Sequence, residues 1–154
     1  NSTNPIEQAM KLFREAGELA DNIGKGRNCF DDLGDCLVVL TVITKQLGGT
    51  LSDFNFKSLA WADGDNKALL LNLINSMYEF TSYASTANFL HIGFLKRCIN
   101  ILNGIAKNHK VSLEHCLAIA YDDIKDRKGV VFNGVFIKES DAAYKEALIK
   151  LGKA

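Results

Sequence analysis

The sequence predicts an all-α protein, a helical bundle of four to five main helices with a short β-hairpin near the C-terminal end. Apolar residues recur at helical spacing over most of the 154-residue chain, which contains a single proline, Pro5. One segment, 130–137, instead joins two short runs of β-branched and aromatic residues through a turn signal, the pair Asn133-Gly134. An apolar content of 47% supports one sizeable core, so residues 1–154 are expected to form a single domain.

The first two predicted helices have the clearest patterns. Pro5 suits a first helical turn with Asn4 as its N-cap, and the apolar stripe that follows stops at the glycine-containing segment 24–28. A second helix is predicted over about 29–47, ending at Gly48-Gly49. Because this helix is apolar on nearly all sides, we expect it to lie at the centre of the fold.

The rest of the chain predicts shorter or less regular elements. Segment 50–64 is irregular, with a short helix carrying the apolar residues Phe54, Phe56, Leu59 and Trp61. Asp65 is expected to cap a third helix that runs through Phe80, and a fourth is predicted over about 88–107. Ser112 opens a fifth helix that ends near 128–129. After the hairpin, a last short helix is predicted over about 141–151.

Composition and charge exclude several classes of protein. The chain has 18 Lys plus Arg and 18 Asp plus Glu, so it lacks the basic excess of a nucleic-acid-coating protein and we expect no nucleic-acid partner. No apolar run approaches the roughly 20 residues of a membrane span, so no membrane partner is expected. Residues 1–10 do not resemble a secretory leader, and a cytoplasmic location is predicted.

The cysteines and histidines give no sign of a metal or catalytic site. The four cysteines have neither C-x-x-C nor zinc spacing, and all are expected to be reduced, buried residues: Cys29, Cys36, Cys98 and Cys116. His91 is interpreted as a core histidine, and His109 and His115 as residues at helix ends. None of the three is predicted to be catalytic.

Four carboxylates are the candidate site. Glu15 and Glu18 on the first helix, and Asp32 and Asp35 on the second, are each spaced i, i+3 and so share a helical face. The short connector should pack the two helices antiparallel and bring the pairs together. A helical wheel places Asp32 inside the apolar arc, where an unpaired carboxylate is costly. Mg²⁺ or Mn²⁺ would account for such a cluster, since these hard cations prefer oxygen ligands. The alternative is that the pairs are solvated faces, with Asp31 and Asp32 favouring a helix N-terminus.

These residues also carry a resemblance to a known family. Segments 14–20 (REAGELA) and 31–37 (DDLGDCL) are similar to the E-E-x-x-E and E-x-x-D signature of MazG-like nucleotide pyrophosphohydrolases, which belong to the all-α NTP pyrophosphatase superfamily. Segment 120–139 resembles the C-terminal part of phage-type members. The resemblance is specific over the first 47 residues and thin between about 50 and 88.

The resemblance implies Mg²⁺-dependent hydrolysis of a nucleoside triphosphate, usually a deoxy one, to the monophosphate and pyrophosphate. The positions that match the family's catalytic metal ligands are Glu15, Glu18, Asp32 and Asp35. It also suggests Lys125 and Arg127 as groups that bind the phosphates, although a solvated helix end explains them equally well. Relatives assemble as dimers or tetramers, so a homodimer or homotetramer is expected.

Three residues depart from the family pattern. Arg14 stands where the first glutamate is usual, and Asp32 replaces a glutamate, shortening its reach by about 1.5 Å. Asp122 lies where relatives commonly carry an asparagine that contributes to nucleotide contact. These departures keep two alternatives open: a degenerate relative that binds a nucleotide or a protein partner without hydrolysis, and a purely structural helical module.

Overall fold

The computed structural model describes residues 5–50, 52, 60–84, 92–133 and 135–153, and only the backbone of residues 81, 83, 84 and 92. This part of the chain is mostly helical with one antiparallel hairpin near the C-terminal end, which confirms the predicted fold class. Its elements, in order, are α1 (Pro5–Gly24), α2 (Phe30–Gln46), α3 (Asn66–Ala84), α4 (Ile92–Asn108), α5 (Leu113–Ile124), β1 (Gly129–Phe132), β2 (Val135–Lys138) and α6 (Tyr144–Lys150).

Helix α2 is the centre of the bundle, as its apolar surface predicts. It packs against α1, α4 and α5, while α3 packs against α1 and α4. The side chains of Leu33, Leu37 and Leu40 are completely buried. At Gly34 the two helices α2 and α5 approach so closely that an added Cβ would collide with the carbonyl of Cys116. A glycine is therefore required where α5 crosses α2, one residue before Asp35.

Three predicted helix ends are confirmed by their hydrogen bonds. Asp65 Oδ1 accepts from the amides of Lys67 at 2.9 Å and Ala68 at 3.1 Å, at the start of α3. Ser112 Oγ accepts from the His115 amide at 3.2 Å and caps α5. Gly48 adopts a positive φ of 84° just after α2, a conformation that glycine reaches without steric cost.

The hairpin begins one residue earlier than the sequence predicts, and α5 ends about four residues earlier. Helix α5 ends at Ile124 instead of near 128, because residues 125–128 form the connector to a strand that starts at Gly129. β1 pairs with β2 in the register Phe132↔Val135. Asn133 has the positive φ, 50°, that the predicted turn requires, whereas Gly134 lies outside the described residues.

Helix α6 begins at Tyr144, three residues later than predicted. Asp141 Oδ2 accepts a hydrogen bond of 2.9 Å from the Lys138 amide, and the Asp141 carbonyl accepts one of 2.9 Å from the Tyr144 amide. These bonds hold 141–143 in a turn that folds α6 back onto the hairpin. The predictions for Asn4, for His91 and the start of the fourth helix, and for Phe54, Phe56 and Leu59 fall outside the described residues.

The four cysteines are free and buried, as predicted. Burial raises the pKa of the Cys98 thiol to about 12 and that of the Cys116 thiol to about 11. These two thiols therefore lie in the core as small apolar groups. In the part of the chain that the structure describes, no helix combines the length and the apolar character that crossing a bilayer demands.

Candidate functional site

The turn between α1 and α2 brings the two acidic pairs to the same side of the molecule. The Arg27 amide donates to the Asn22 carbonyl at 2.9 Å around Gly26, whose φ of 63° reverses the chain. The Asn22 side-chain amide then donates 2.8 Å to Asp32 Oδ2, joining the end of α1 to the beginning of α2. The two helices therefore run antiparallel. Their acidic residues are near enough for the charges of Glu15 and Glu18 to act on Asp35.

Glu15 is the most deeply buried of the four predicted carboxylates. Only 6% of the residue is exposed. Its Oε1 accepts a charged hydrogen bond of 2.7 Å from the Arg14 guanidinium, while its Oε2 is buried without any hydrogen-bond partner. A buried carboxylate oxygen with no donor costs free energy unless a ligand supplies the missing contact. Glu15 is therefore the part of the cluster that most clearly lacks a partner.

Asp35, on α2, interacts electrostatically with the acidic residues of both helices. Burial, and then the charges of Asp31 and Glu15, raise the pKa of Asp35 from an ordinary 3.8 to about 6. Arg127 acts in the opposite direction, and Glu18 adds a smaller increase. A carboxyl with a pKa near 6 exchanges its proton close to neutral pH, which is a property required of a general base.

Glu18 and Asp32 lie at the border of this cluster. Half of the Glu18 side chain, 52%, is exposed, and one of its oxygens lies 3.9 Å from the Arg14 guanidinium. Asp32 is only half-buried, and it is not the unpaired buried carboxylate that the helical wheel suggested, because its Oδ2 accepts a hydrogen bond from the Asn22 side chain. Burial raises the pKa of Asp32, and the hydrogen bond from Asn22 opposes that increase.

The candidate phosphate-binding residues near the end of α5 fall in two different places. Lys125 Nζ forms an ion pair of 2.8 Å with Asp122 Oδ1, and both side chains are largely exposed. Neither of them lines the cavity that contains Glu15 and Asp35. Arg127 does, and its charge acts on both Asp31 and Asp35. Of the three, the structure brings only Arg127 to the acidic cluster.

A cleft of about 630 Å³ connects the acidic cluster to the hairpin. The charged cleft, as we name it, is lined by residues of α1, α2, α5, the α5–β1 connector, both strands and the turn after β2. Its charged residues are four cations and three carboxylates: Lys11, Arg14, Arg127, Lys138, Glu15, Asp35 and Asp141. This volume lies within the roughly 300–1,000 Å³ of typical ligand pockets. The cleft therefore places two of the predicted carboxylates, Glu15 and Asp35, beside four cationic side chains.

Two of these cations, Lys11 and Lys138, were not predicted from the sequence. Burial, and then the charge of Arg14, lower the pKa of the half-buried Lys11; the charges of Glu15 and Glu7 oppose this shift, and Lys138 adds a smaller decrease. Among the described residues, no carboxylate oxygen lies within 4 Å of a side-chain nitrogen of Lys11, Lys138 or Arg127. The i, i+4 spacing of Lys11 and Glu15 was a usable signal, whereas Lys138 reaches the cleft only through the position of the hairpin.

The carboxylates of the cleft have the right chemistry to bind a divalent cation, but they do not form a complete set of ligands for one ion. Carboxylate oxygens are suitable ligands for Mg²⁺, and Glu15, which lines the cleft, has a buried Oε2 atom without a hydrogen-bond partner. Among the residues that the structure describes, however, no three Asp, Glu, His or Cys side chains are positioned to hold one ion together. Arg14 contacts both glutamates of α1, at 2.7 Å and 3.9 Å. Arg14 therefore supplies positive charge directly beside these two carboxylates.

Comparison of the chain with protein-family models, curated proteins and solved structures gave no significant match.

Proposed function

We propose that this protein hydrolyses a nucleoside triphosphate, in the presence of Mg²⁺ or Mn²⁺, to the monophosphate and pyrophosphate. The observation that carries the proposal is Glu15, which is buried with one oxygen unpartnered and faces the charged cleft next to Asp35. Such a group is retained in a fold when a ligand satisfies it. The resemblance of segments 14–20 and 31–37 to MazG-like hydrolases gives the class of ligand.

Asp35 and Arg127 of the cleft have distinct roles in this reaction. A bound divalent cation would neutralise phosphate oxygens and acidify water. Asp35, with a pKa of about 6, is the carboxylate best suited to accept the proton of the attacking water at one of its Oδ atoms. The water oxygen forms a new bond to phosphorus, and the phosphoanhydride bond to the leaving pyrophosphate breaks. Arg127 can donate two parallel hydrogen bonds to phosphate oxygens.

Release of pyrophosphate from each of the four dNTPs and four NTPs, with Mg²⁺ or Mn²⁺, tests the proposal. Glu18→Ala should abolish turnover and leave the helical circular-dichroism signal intact, because Glu18 is half exposed. The matched control is Glu146→Ala on α6, which removes an exposed ion pair of the same i, i+4 type, at 2.6 Å from Lys150. A folded wild-type protein that turns over none of the eight nucleotides contradicts the proposal, and a Glu18→Ala variant that unfolds identifies Glu18 as structural.

A second candidate function, nucleotide binding without hydrolysis, is favoured by Arg14. Its guanidinium is bonded to Glu15 and lies near Glu18, so it neutralises the carboxylates that a cation would use. Calorimetry that detects nucleotide binding by a protein without turnover would support this candidate. In that case Arg14→Glu, which restores the family's usual acid, should increase the affinity for Mn²⁺ and introduce turnover. If Arg14→Glu leaves Mn²⁺ affinity unchanged, Arg14 is not what suppresses metal binding.

The proposed enzyme acts on cytoplasmic nucleotides as a homodimer or homotetramer. Exposed apolar side chains on α1 and α3 suit burial between subunits: Ile6, Met10, Leu71 and Tyr78 are each between 59% and 69% exposed. Analytical ultracentrifugation measures the stoichiometry, and Met10→Glu should shift it towards the monomer if the α1 surface is the interface. A protein that sediments as a monomer at all concentrations contradicts the proposed assembly.

A further inference from the structure

A second cavity, the apolar groove, adjoins the charged cleft between α2 and α5. It has a volume of about 430 Å³, and Val38, Val42 and Ile124 line both cavities. Beyond these shared residues, the groove is lined by Leu117, Ala118 and Tyr121 of α5, together with Thr41. The two cavities therefore form one continuous surface, charged at the Asp35 end and apolar at the Tyr121 end.

The charged cleft has the properties of an anion site. Lys11, Lys138 and Arg127 converge on it, and within the described part of the chain none has an ion-pair partner within 4 Å. Lys11 is half-buried, and burial has the largest effect on its ammonium group. Arg14 and Lys138 repel that group, while the carboxylates Glu15 and Glu7 attract it. An anion with several negative oxygens would relieve that repulsion and supply charge-assisted hydrogen bonds.

The apolar groove offers contact area but few groups that could recognise a pattern of donors and acceptors. The Thr41 hydroxyl already donates to the Leu37 carbonyl at 2.8 Å. Tyr121 is 59% exposed, so its ring is available for stacking at the outer end of the groove. From Asp35 to Val42 the wall of α2 extends about 10 Å, at 1.5 Å per residue.

We infer that the charged cleft and the apolar groove together bind one nucleotide, with the phosphate chain against Lys11 and Lys138 and the base in the groove beside Tyr121. This inference rests on the proposed function for the class of ligand. It adds the orientation of the nucleotide and a specificity: the base is held by apolar contact and stacking, without reading its hydrogen-bonding edge. All four dNTPs should therefore bind with dissociation constants within about tenfold of one another.

Calorimetric titrations in the presence of EDTA, with dATP and inorganic tripolyphosphate as probes, separate the two ends of the site. Lys11→Met should weaken the binding of both probes about tenfold, because it removes a charged contact to phosphate. Tyr121→Ala should weaken dATP about fivefold and leave tripolyphosphate unchanged, because it removes only a stacking surface. The matched controls are Lys96→Met and Trp61→Ala, whose side chains are exposed and line neither cavity.

A variant that fills the groove gives a second, independent readout. Ala118 is exposed on α5, so Ala118→Phe should fold and should lower dATP affinity by occupying the space of the base. If Tyr121→Ala and Ala118→Phe both leave dATP affinity unchanged, the base does not lie in the groove. The inference is also overturned if Ala118→Phe changes only the sedimentation of the protein, because the groove is then an interface between copies, or if one dNTP binds more than a hundredfold tighter than the others.

Binding in EDTA does not depend on turnover, so the inference and the proposed function can fail separately. If the protein binds dATP in the predicted manner but never releases pyrophosphate, the inference stands and the hydrolase proposal is refuted. If the protein releases pyrophosphate and neither Tyr121→Ala nor Ala118→Phe changes its KM, the hydrolase proposal stands and the inference is refuted.

Discussion

Replacing Asp35 with asparagine should stabilise the folded protein at neutral pH. Burial and the charges of Asp31 and Glu15 raise the pKa of Asp35 from 3.8 to about 6, so the ionised carboxylate is disfavoured in the folded state. Because one pKa unit corresponds to about 1.36 kcal/mol, this increase sets an upper bound of roughly 3 kcal/mol on the cost at pH 7.5. The side chain is only half-buried and solvent screens its neighbours' charges, so we expect a gain of about 1–2 kcal/mol.

The direction of the pH dependence follows from the same pKa. The folded protein binds the Asp35 proton more tightly than the unfolded chain does, so the cost of ionisation grows as the pH rises from about 4 to about 6 and is constant above that range. Below about pH 4 the carboxyl is protonated in both states and the cost disappears. Asp35→Asn should therefore stabilise the protein at pH 7.5 and have little effect at pH 4.

Urea unfolding at these two pH values, followed by circular dichroism, measures the difference in the free energy of unfolding. Asp126→Asn is the control, because Asp126 is exposed in the α5–β1 connector and its replacement should change stability by less than about 0.5 kcal/mol. An Asp35→Asn variant no more stable than wild type at pH 7.5 would refute the reasoning. So would a gain that persists undiminished at pH 4, since that gain would come from packing instead of charge.

The same substitution should also abolish pyrophosphate release. A carboxylate that destabilises the fold but is required for turnover illustrates the trade-off between stability and activity at a functional site. If Asp35→Asn is both more stable and fully active, Asp35 is not the base.

The remaining predictions concern the framework around the site. Gly34→Ala should destabilise the protein by about 2–3 kcal/mol, since its Cβ would collide with the Cys116 carbonyl; Gly17→Ala, which meets nothing, is the thermal-denaturation control. The thiols of Cys98 and Cys116 should resist a disulfide reagent at pH 8 until urea unfolds the protein, and fast labelling of the native state would show that they are accessible. Asn22→Ala should cost about 1 kcal/mol in urea unfolding by removing its bond to Asp32, and an unchanged midpoint would show that this bond contributes nothing.

Local pattern was sufficient to predict the helices. The 3.6-residue period, the caps at Asp65 and Ser112, and the glycines after α1 and α2 are properties of short segments, and the structure has α1, α2 and α3 within a few residues of the prediction. The end of α5 was wrong because segment 125–128 has acceptable helix propensity and becomes a connector only when β1 pairs with β2. The pairing of β1 with β2 determines where α5 ends, and the helix propensity of segment 125–128 alone could not predict that end.

The candidate site could be predicted in part. The spacing of the acids and the short turn place α1 and α2 correctly, and Glu15 and Asp35 face one cleft. The most buried carboxylate was not identified: the helical wheel favoured Asp32, which is half-buried, whereas Glu15 is the enclosed carboxylate. A wheel does not show how close a position is to the end of the helix. Lys138 was missed because its contribution depends on where the hairpin docks, which no local spacing encodes.

Paramagnetic broadening by Mn²⁺ tests most directly whether the acidic residues of α1 and α2 bind a divalent cation. A ¹⁵N-labelled sample at pH 7.5 is titrated with substoichiometric Mn²⁺, and the loss of each backbone amide signal is followed. The predicted result is that the signals of Glu15, Glu18, Asp32 and Asp35 disappear first and return when Mg²⁺ is added in excess. Broadening that begins at the exposed acids near Asp122, or that is uniform over the chain, would contradict a metal site between these two helices.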